Sequence, residues 1–414
     1  MGKQNAEPKR KKEVRQMLVS KVQTLTSNVN NTLIGRSREV EASMAALLAN
    51  EHCVFIGEPG TAKSMVVDQI SKRVSGINYF WIQLFAETPP TDVFGQISLR
   101  ALEQEDINRR NTAGHLPEAN VAFLDEIFQA RSSILVGCNS IMQERRYMNG
   151  NAKVAAPIRS VFGASNFFPE DEQLIALWDR FMVRRKVSAL TTEEDIKKMI
   201  SAPDPEENPA PDVTLAELDE AHRLAMALPA GNDVIDSFIE VLAKLSALQR
   251  PITVSDRRKK KAWKLLRAKA WLNGRSEVTP YEFPVLSYVL WNKPEDIVEV
   301  ETLLADYAPI EASKINAVID AMKPHLSQLS KLQAGGGDLT QYKAAAMTVL
   351  SKINEVHGEL KQYEARTLTD PGAQTALMDA NKMIREAQVT IMSGLGFDPA
   401  MFAGQNMPPR KVKK

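Results

Sequence analysis

The run Gly57-Glu58-Pro59-Gly60-Thr61-Ala62-Lys63-Ser64, with Met65 next, follows a short apolar stretch and opens a helical pattern. That order suits a polyphosphate. Glycines let the backbone curl so that successive N–H groups face an anion, and the following helix adds its positive end. Lys63 supplies a mobile cation to the β- and γ-phosphate oxygens, and Ser64 offers a hydroxyl to Mg²⁺. Ala62 stands where glycine precedes the lysine in the strict pattern, and it fits if that position already has helical dihedrals. A second signal is Val121-Ala122-Phe123-Leu124 running into Asp125 and Glu126. Ligand chemistry in a parallel sheet sits at the carboxyl ends of strands. Asp125 is therefore expected to hold Mg²⁺, and Glu126 to orient and deprotonate an attacking water. Phosphoryl transfer to water, with ATP and Mg²⁺ as the bound groups, is the chemistry these residues serve.

Three further positions complete the constellation. Asn166 ends the run Val161-Phe162-Gly163-Ala164-Ser165 and is placed to contact the water or the γ-phosphate. Arg180, in Trp178-Asp179-Arg180-Phe181, is the first candidate for a cation donated to a neighbouring subunit's site, with Arg184 and Arg185 close enough to compete. Arg257 follows Ser255, the expected cap of a basic helix, and is a candidate phosphate-sensing arginine.

Short strand-like runs alternating with helices must carry these residues. The runs at 53–56, 79–85, 121–124 and 161–164 lack strict alternation, which indicates a parallel sheet covered by helices on both faces. The fold class is thus an α/β core with a phosphate-binding loop, followed by an all-α lid and a C-terminal helical arm. Residues 1–12 read as a disordered basic tail. The core spans 13–200, with helices at 13–26, at 37–50 capped by Ser37, and at 63–75. A polar excursion at 95–120 and a hairpin at 147–160, turning at Asn149-Gly150, interrupt it. Four prolines and four acidic residues among the twelve at 201–212 mark a linker. The lid covers 213–306, with helices at 213–228, 232–248, 255–273, 279–290 and 294–306. The arm covers 307–395, with long amphipathic patterns at 309–332, 339–365 and 371–394. Residues 396–414 form a second basic tail.

Composition bounds the rest. The 414 residues are 44% hydrophobic and 25% charged, with a net charge of +1. No run is apolar enough to span a membrane and no secretory leader is evident, so a cytoplasmic location is expected. Two distant cysteines, Cys53 and Cys138, and five scattered histidines predict no disulfide framework and no structural zinc.

Together the motifs resemble the MoxR family of AAA+ ATPases, and within it the RavA-like regulatory branch. The resemblance runs over roughly residues 15–300 and rests on Leu33-Ile34-Gly35-Arg36, the phosphate loop, Thr91-Asp92-Val93-Phe94-Gly95, Leu116-Pro117-Glu118-Ala119, Phe123-Leu124-Asp125-Glu126-Ile127, Glu144-Arg145-Arg146, Ala164-Ser165-Asn166, Asp179-Arg180-Phe181 and Val254-Ser255-Asp256-Arg257-Arg258. It implies a hexamer with ATP between subunits, Ile34 and Gly35 near the adenine, and 95–120 and 147–160 as insertions facing a central channel. It further implies a von Willebrand factor A domain partner and chaperone-like remodelling of a protein target. RavA-like chains carry an added β-rich module; the last third of this sequence reads purely helical. A nucleic-acid motor is the alternative, supported only by the basic stretch 257–275 and the basic tails. A non-hydrolysing scaffold is disfavoured by intact Lys63, Asp125 and Glu126.

Overall fold

The computed structural model describes residues 6–305, Tyr307, and scattered positions between 345 and 391. Two helices come first, α1 (Ala6–Thr32) and α2 (Ser37–Ala49). The core then runs β1 (Cys53–Ile56), α3 (Lys63–Lys72), β2 (Val74–Ser75), β3 (Tyr79–Gln83), α4 (Pro90–Phe94), α5 (Leu99–Glu105), β4 (Val121–Asp125), α6 (Ser132–Glu144), β5 (Arg146–Asn149), β6 (Ala152–Ala155), β7 (Ser160–Ser165), α7 (Glu172–Trp178) and β8 (Val183–Lys186).

Five strands form one parallel sheet in the order β3-β4-β7-β1-β8. Every residue of β1 and β7 is buried, as continuous apolar runs covered on both faces require. Phe55 and Phe162 stack at 6.5 Å across β1 and β7, and Phe123 on β4 is equally buried. Such burial contributes about 1.5–3 kcal/mol per side chain. The register aligns the strand ends: Ile56 lies opposite Ser165, Leu124 opposite Gly163, and Gln83 opposite Asp125. The loops leaving β1, β4 and β7 therefore emerge side by side.

The two insertions meet. The amide of Asn149 at the hairpin end of β5 accepts from the Arg110 N–H at 2.6 Å and donates to the Arg110 carbonyl at 3.1 Å. Phe94 stacks on Tyr147 at 5.3 Å beneath them.

Beyond β8, α8 (Glu193–Ser201) buries none of its residues. The chain returns at Asp212, whose N–H donates to the Arg73 carbonyl at 2.9 Å, and β9 (Val213–Thr214) pairs with β2. Then follow α9 (Leu215–Met226), α10 (Asn232–Ser246), α11 (Asp256–Leu272), a 3-10 stretch at Pro280–Tyr288, and α12 (Ile297–Ala305). Thr214 and Glu217 form a reciprocal capping box on α9. Helix α11 packs on α2, α9 and the 3-10 stretch. Among the described residues no helix is long and apolar enough to cross a membrane.

Several sequence expectations are corrected. The first helix begins at Ala6, not Glu13: Ala, Glu, Lys and Arg carry it without an apolar face, and Pro8 is tolerated in a first turn. Ser37 is the first helical residue of α2 and makes no cap bond; Arg36 holds the cap position. The stretch 279–290 is a 3-10 helix, because Pro284 lacks the donor an α-helix needs there. The hairpin loop is Gly150-Asn151, one residue later than expected, since Asn149 still pairs with Ala152. Strand β8 has no counterpart among the strand-like runs of the sequence.

Residues 306–414 form a second compact unit. Its described positions are helical at 345–353 and in pieces of 380–391, burying Ala346, Val349 and Ile353, and Ala380, Ile384, Ala387 and Ile391. Those three- and four-residue steps are the helical stripe of the sequence pattern. The pattern at 309–332 and the breaks between helices lie outside the described residues.

Candidate functional site

The phosphate-type loop leaves β1 at Ile56 and enters α3 at Lys63. Its base is fixed from both neighbouring strands. The Gly57 N–H donates to the Ser165 carbonyl at 3.0 Å, and the Val187 N–H donates to the Ile56 carbonyl at 2.7 Å. A Cβ at Gly57 would collide with the Val187 carbonyl oxygen, so only glycine fits. Gly60 turns with φ of 77° into open space, and Thr61 donates to the Glu58 carbonyl at 2.8 Å. Glu58, Pro59 and Gly60 are exposed at the rim, Ala62 and Ser64 half-buried, and Met65 exposed just inside α3. The first N–H groups of α3, which have no intrahelical partner, open onto this loop.

Ala62 departs from expectation. It adopts φ 62° and ψ 24°, the left-handed region, rather than helical dihedrals. A non-glycine residue there is strained by about 1–3 kcal/mol. Ala62→Gly should therefore raise the melting midpoint, by about 1–3 °C for a domain of this size, because relief of strain outweighs the added freedom of the unfolded chain. A thermal melt of both chains checks this, and a lower midpoint for the glycine chain would show that the loop carries no such strain.

Lys63 folds over the loop, donating from Nζ to the carbonyls of Gly57 at 2.5 Å and Glu58 at 3.0 Å. Burial draws its pKa below the ordinary lysine value, while Asp125 and Glu126 oppose that shift. The acidic pair thus lies within electrostatic reach of the loop cation. Asp125 ends β4, and its Oδ1 accepts from the Glu126 N–H at 3.1 Å. Glu126 turns off the strand at φ 50°, and Gln129 donates to its carboxylate at 3.1 Å. Asn166 follows β7 and is exposed. The neighbouring ends of β1, β7 and β4 bring Lys63, Ser64, Asn166, Asp125 and Glu126 to one edge of the sheet. The hydroxyl of Ser64 and the carboxylate of Asp125 are the hard oxygen donors that suit Mg²⁺.

In the turn between α1 and α2, Gly35 (φ 68°) lies under Leu190, where a Cβ would meet the leucine side chain, and Ile34 is half-buried beside it. Arg36 ties this turn to the segment after β8 by donating to the Ser188 carbonyl at 2.7 Å.

The arginines separate sharply. Arg180 is half-buried in a turn just past α7, not within the helix. Arg184 is 1% exposed, donates to the carbonyls of Phe181 and Trp291 at 3.0 and 2.8 Å, and lies over the Trp178 ring at 4.6 Å. It is a core residue and cannot reach another subunit. Arg185 donates to buried Glu39 at 2.9 Å. Arg257, at the start of α11, is exposed, whereas its neighbour Arg258 is buried. Sequence reasoning missed Arg258; the doubled arginine was the only signal.

The rest of α11 is less basic outwardly than its sequence suggests. Lys261 and Lys264 both pair with Glu51, which is 3% exposed, and Lys269 pairs with Glu41. Both cysteines are buried, and burial pushes the Cys138 thiol up to about 12.

Comparison with known proteins adds to this geometry. Residues 20–222 match the family model described as the MoxR domain in the MoxR-vWA-beta-propeller ternary systems, and residues 233–304 match an AAA lid domain. An uncharacterised protein of Methanocaldococcus jannaschii is 35% identical over 289 residues, covering 70% of this chain and 75% of that protein. The chaperone MoxR1 of Mycobacterium tuberculosis is 27% identical over 186 residues, 43% of this chain and 48% of its own length. A crystal structure of a candidate ATPase from Cytophaga hutchinsonii superposes with a TM-score of 0.59 at 18% identity, covering 72% of this chain and 98% of the other, a likeness of fold alone.

Proposed function

Because the chain belongs to the MoxR family of AAA+ ATPases, we propose that it binds ATP at residues 57–64 and hydrolyses it to drive remodelling of a protein target. The observation that carries this reading is the convergence of Lys63, Asp125, Glu126 and Asn166 on one sheet edge beside a helix N-terminus.

Loop N–H groups and Lys63 hold the β- and γ-phosphates. Ser64 and Asp125 hold Mg²⁺, which when bound neutralises charge on the phosphate oxygens. Glu126 takes a proton from water as its oxygen bonds to the γ-phosphorus; the bond to the β–γ bridging oxygen breaks and ADP departs. Asn166 orients that water, Ile34 and Gly35 flank the adenine, and Arg180 serves the adjoining subunit's γ-phosphate. Arg257, exposed on the lid, is free to sense phosphate across such a boundary.

The finer reading is a hexameric, cytoplasmic, RavA-like ring with ATP between subunits. It is supported by the order of motifs from Leu33 to Arg258. The matched family description names von Willebrand factor A proteins as companions of its MoxR domains, and we extend that partner to this chain. The relative from Mycobacterium is named a chaperone, which favours protein remodelling. A nucleic-acid motor is disfavoured, because three of the five lysines of α11 are engaged by Glu51 and Glu41 and a fourth, Lys259, by Asp256, which leaves little of the helix as a free basic face.

Lys63→Ala tests the site. Losing the charge-assisted bonds of Lys63 to the β- and γ-phosphate oxygens, at about 1.5–3 kcal/mol each, should weaken ATP binding about 100-fold or more, read by titration with a fluorescent ATP analogue. Affinity within about threefold of the parent would mean that the loop is not the phosphate cradle.

A further inference from the structure

Arg180 sits in a turn closed by two backbone bonds, Arg180 N–H to the Leu177 carbonyl at 2.9 Å and Phe181 N–H to the Trp178 carbonyl at 3.1 Å. The residue before it, Asp179, is held from the lid. Arg258 Nη2 donates to Asp179 Oδ1 at 3.0 Å, and its Nη1 donates to Asn292 Oδ1 at 2.6 Å. Asn292 is fixed in turn: its amide donates to the Thr253 carbonyl at 3.1 Å and its N–H to Asp296 at 2.9 Å. The residue before Asp179, Trp178, is held from the catalytic edge. It packs 6.2 Å from Phe128, just beyond Glu126, and 5.0 Å from Phe168, just beyond Asn166. Trp291 of the lid lies 5.5 Å away on the same ring. Arg258 itself is only 9% exposed. Its guanidinium is therefore committed to this turn and does not face a nucleotide.

We infer that Arg258 is a positioning residue which, through Asp179, fixes the geometry at which Arg180 is presented to the neighbouring subunit. This rests on the reading of Arg180 as a cation acting in trans. Arg258 and Arg180 then belong to the same finger, so a defect at Arg258 appears in the next subunit's site and not in its own. Misplacement of a catalytic group by about 1 Å costs about 100-fold in rate. Arg258 is also the informative residue to change. Removing Asp179 would leave Arg184 and Arg258 facing each other without a counter-ion, whereas removing Arg258 leaves Asp179 beside Arg184 at 3.6 Å.

The test uses full-length Arg258→Ala, Arg180→Ala and Lys63→Ala chains, alone and in mixed oligomers verified by differential tagging. Arg258→Ala alone should lose about 10- to 100-fold in kcat with ATP affinity within about twofold of the parent. Mixed with Lys63→Ala it should regain turnover, because its sound loop then meets a sound finger. Mixed with Arg180→Ala it should not, because every finger in that ring is defective. The reverse pattern would place Arg258 in its own subunit's site and overturn the inference, as would unchanged kcat or lost ATP affinity. The Arg180→Ala with Lys63→Ala mixture separates the two readings. If it recovers while Arg258→Ala with Lys63→Ala does not, only the role of Arg258 falls; if it fails, the trans role of Arg180 falls first. Should Arg258→Ala not assemble, Arg258→Lys keeps the charge but loses the fork that spans Asp179 and Asn292. It should show a smaller kcat loss with the same pattern of rescue, and rescue by Arg180→Ala would again overturn the inference.

Discussion

An Arg180→Ala chain should hydrolyse ATP about three to five orders of magnitude more slowly than the parent while binding ATP almost unchanged. That is the worth of a finger cation that meets charge developing on the transferring phosphoryl group. The size of the loss follows from the neighbouring arginines being unable to substitute. Arg184 is sealed among the carbonyls of Phe181 and Trp291 and the face of Trp178. Burial holds its pKa well below the usual arginine value, with Arg258 adding to that shift and Asp179 opposing it. Arg185 is bound to Glu39. Phosphate release and nucleotide titration on one preparation decide the matter. Parental turnover from Arg180→Ala would remove the finger from this turn altogether, since no second arginine there is free to take the role.

Glu126→Gln should retain ATP binding and lose about 10²- to 10⁴-fold in turnover, the range for removal of a general base. The amide matches the carboxylate in size, so the contact with Gln129 and the turn at φ 50° can persist. What disappears is the capacity to accept a proton from water. The substitution leaves Lys63, Ser64 and the loop N–H groups untouched and Asp125 in its place at the end of β4, so the nucleotide should remain bound and uncleaved. Single-turnover phosphate release against equilibrium ATP binding reads both quantities, and near-parental release would assign the proton acceptor elsewhere.

How far the sequence discloses this arrangement depends on whether a residue's role is local or imposed by packing. The buried strands β1, β4 and β7 are apolar runs ending in functional residues, and their pattern is visible without a structure. The capping of α11 by Ser255 is equally local. Strand β8 is not, because Val183-Arg184-Arg185-Lys186 has the composition of a surface segment. Only the carbonyls and the tryptophan around Arg184 make its burial possible. Likewise Arg257 and Arg258 are adjacent on a helix and hence point about 100° apart. Nothing in their order says which is exposed and which grips Asp179. The left-handed turn at Ala62 is hidden for a related reason: alanine carries no local signal for it, so only the tertiary setting of the loop can select it.

Helix α8 buries none of its residues, and the chain around it is secured at both flanks. Arg36 holds the Ser188 carbonyl before it, and Asn28 and Arg73 hold Asp212 after it. The span between is thus a loop with pinned ends. Closing a longer loop over the same gap costs only about 0.6 kcal/mol for each doubling of its length. From 191 to 208 no residue is buried, so sequence there is free to lengthen, shorten or change, whereas Leu190, packed against Gly35, and buried Pro209 belong to the anchored flanks. A fluorophore, an affinity tag or a whole folded module spliced between residues 191 and 208 would ride on the molecule as a passenger.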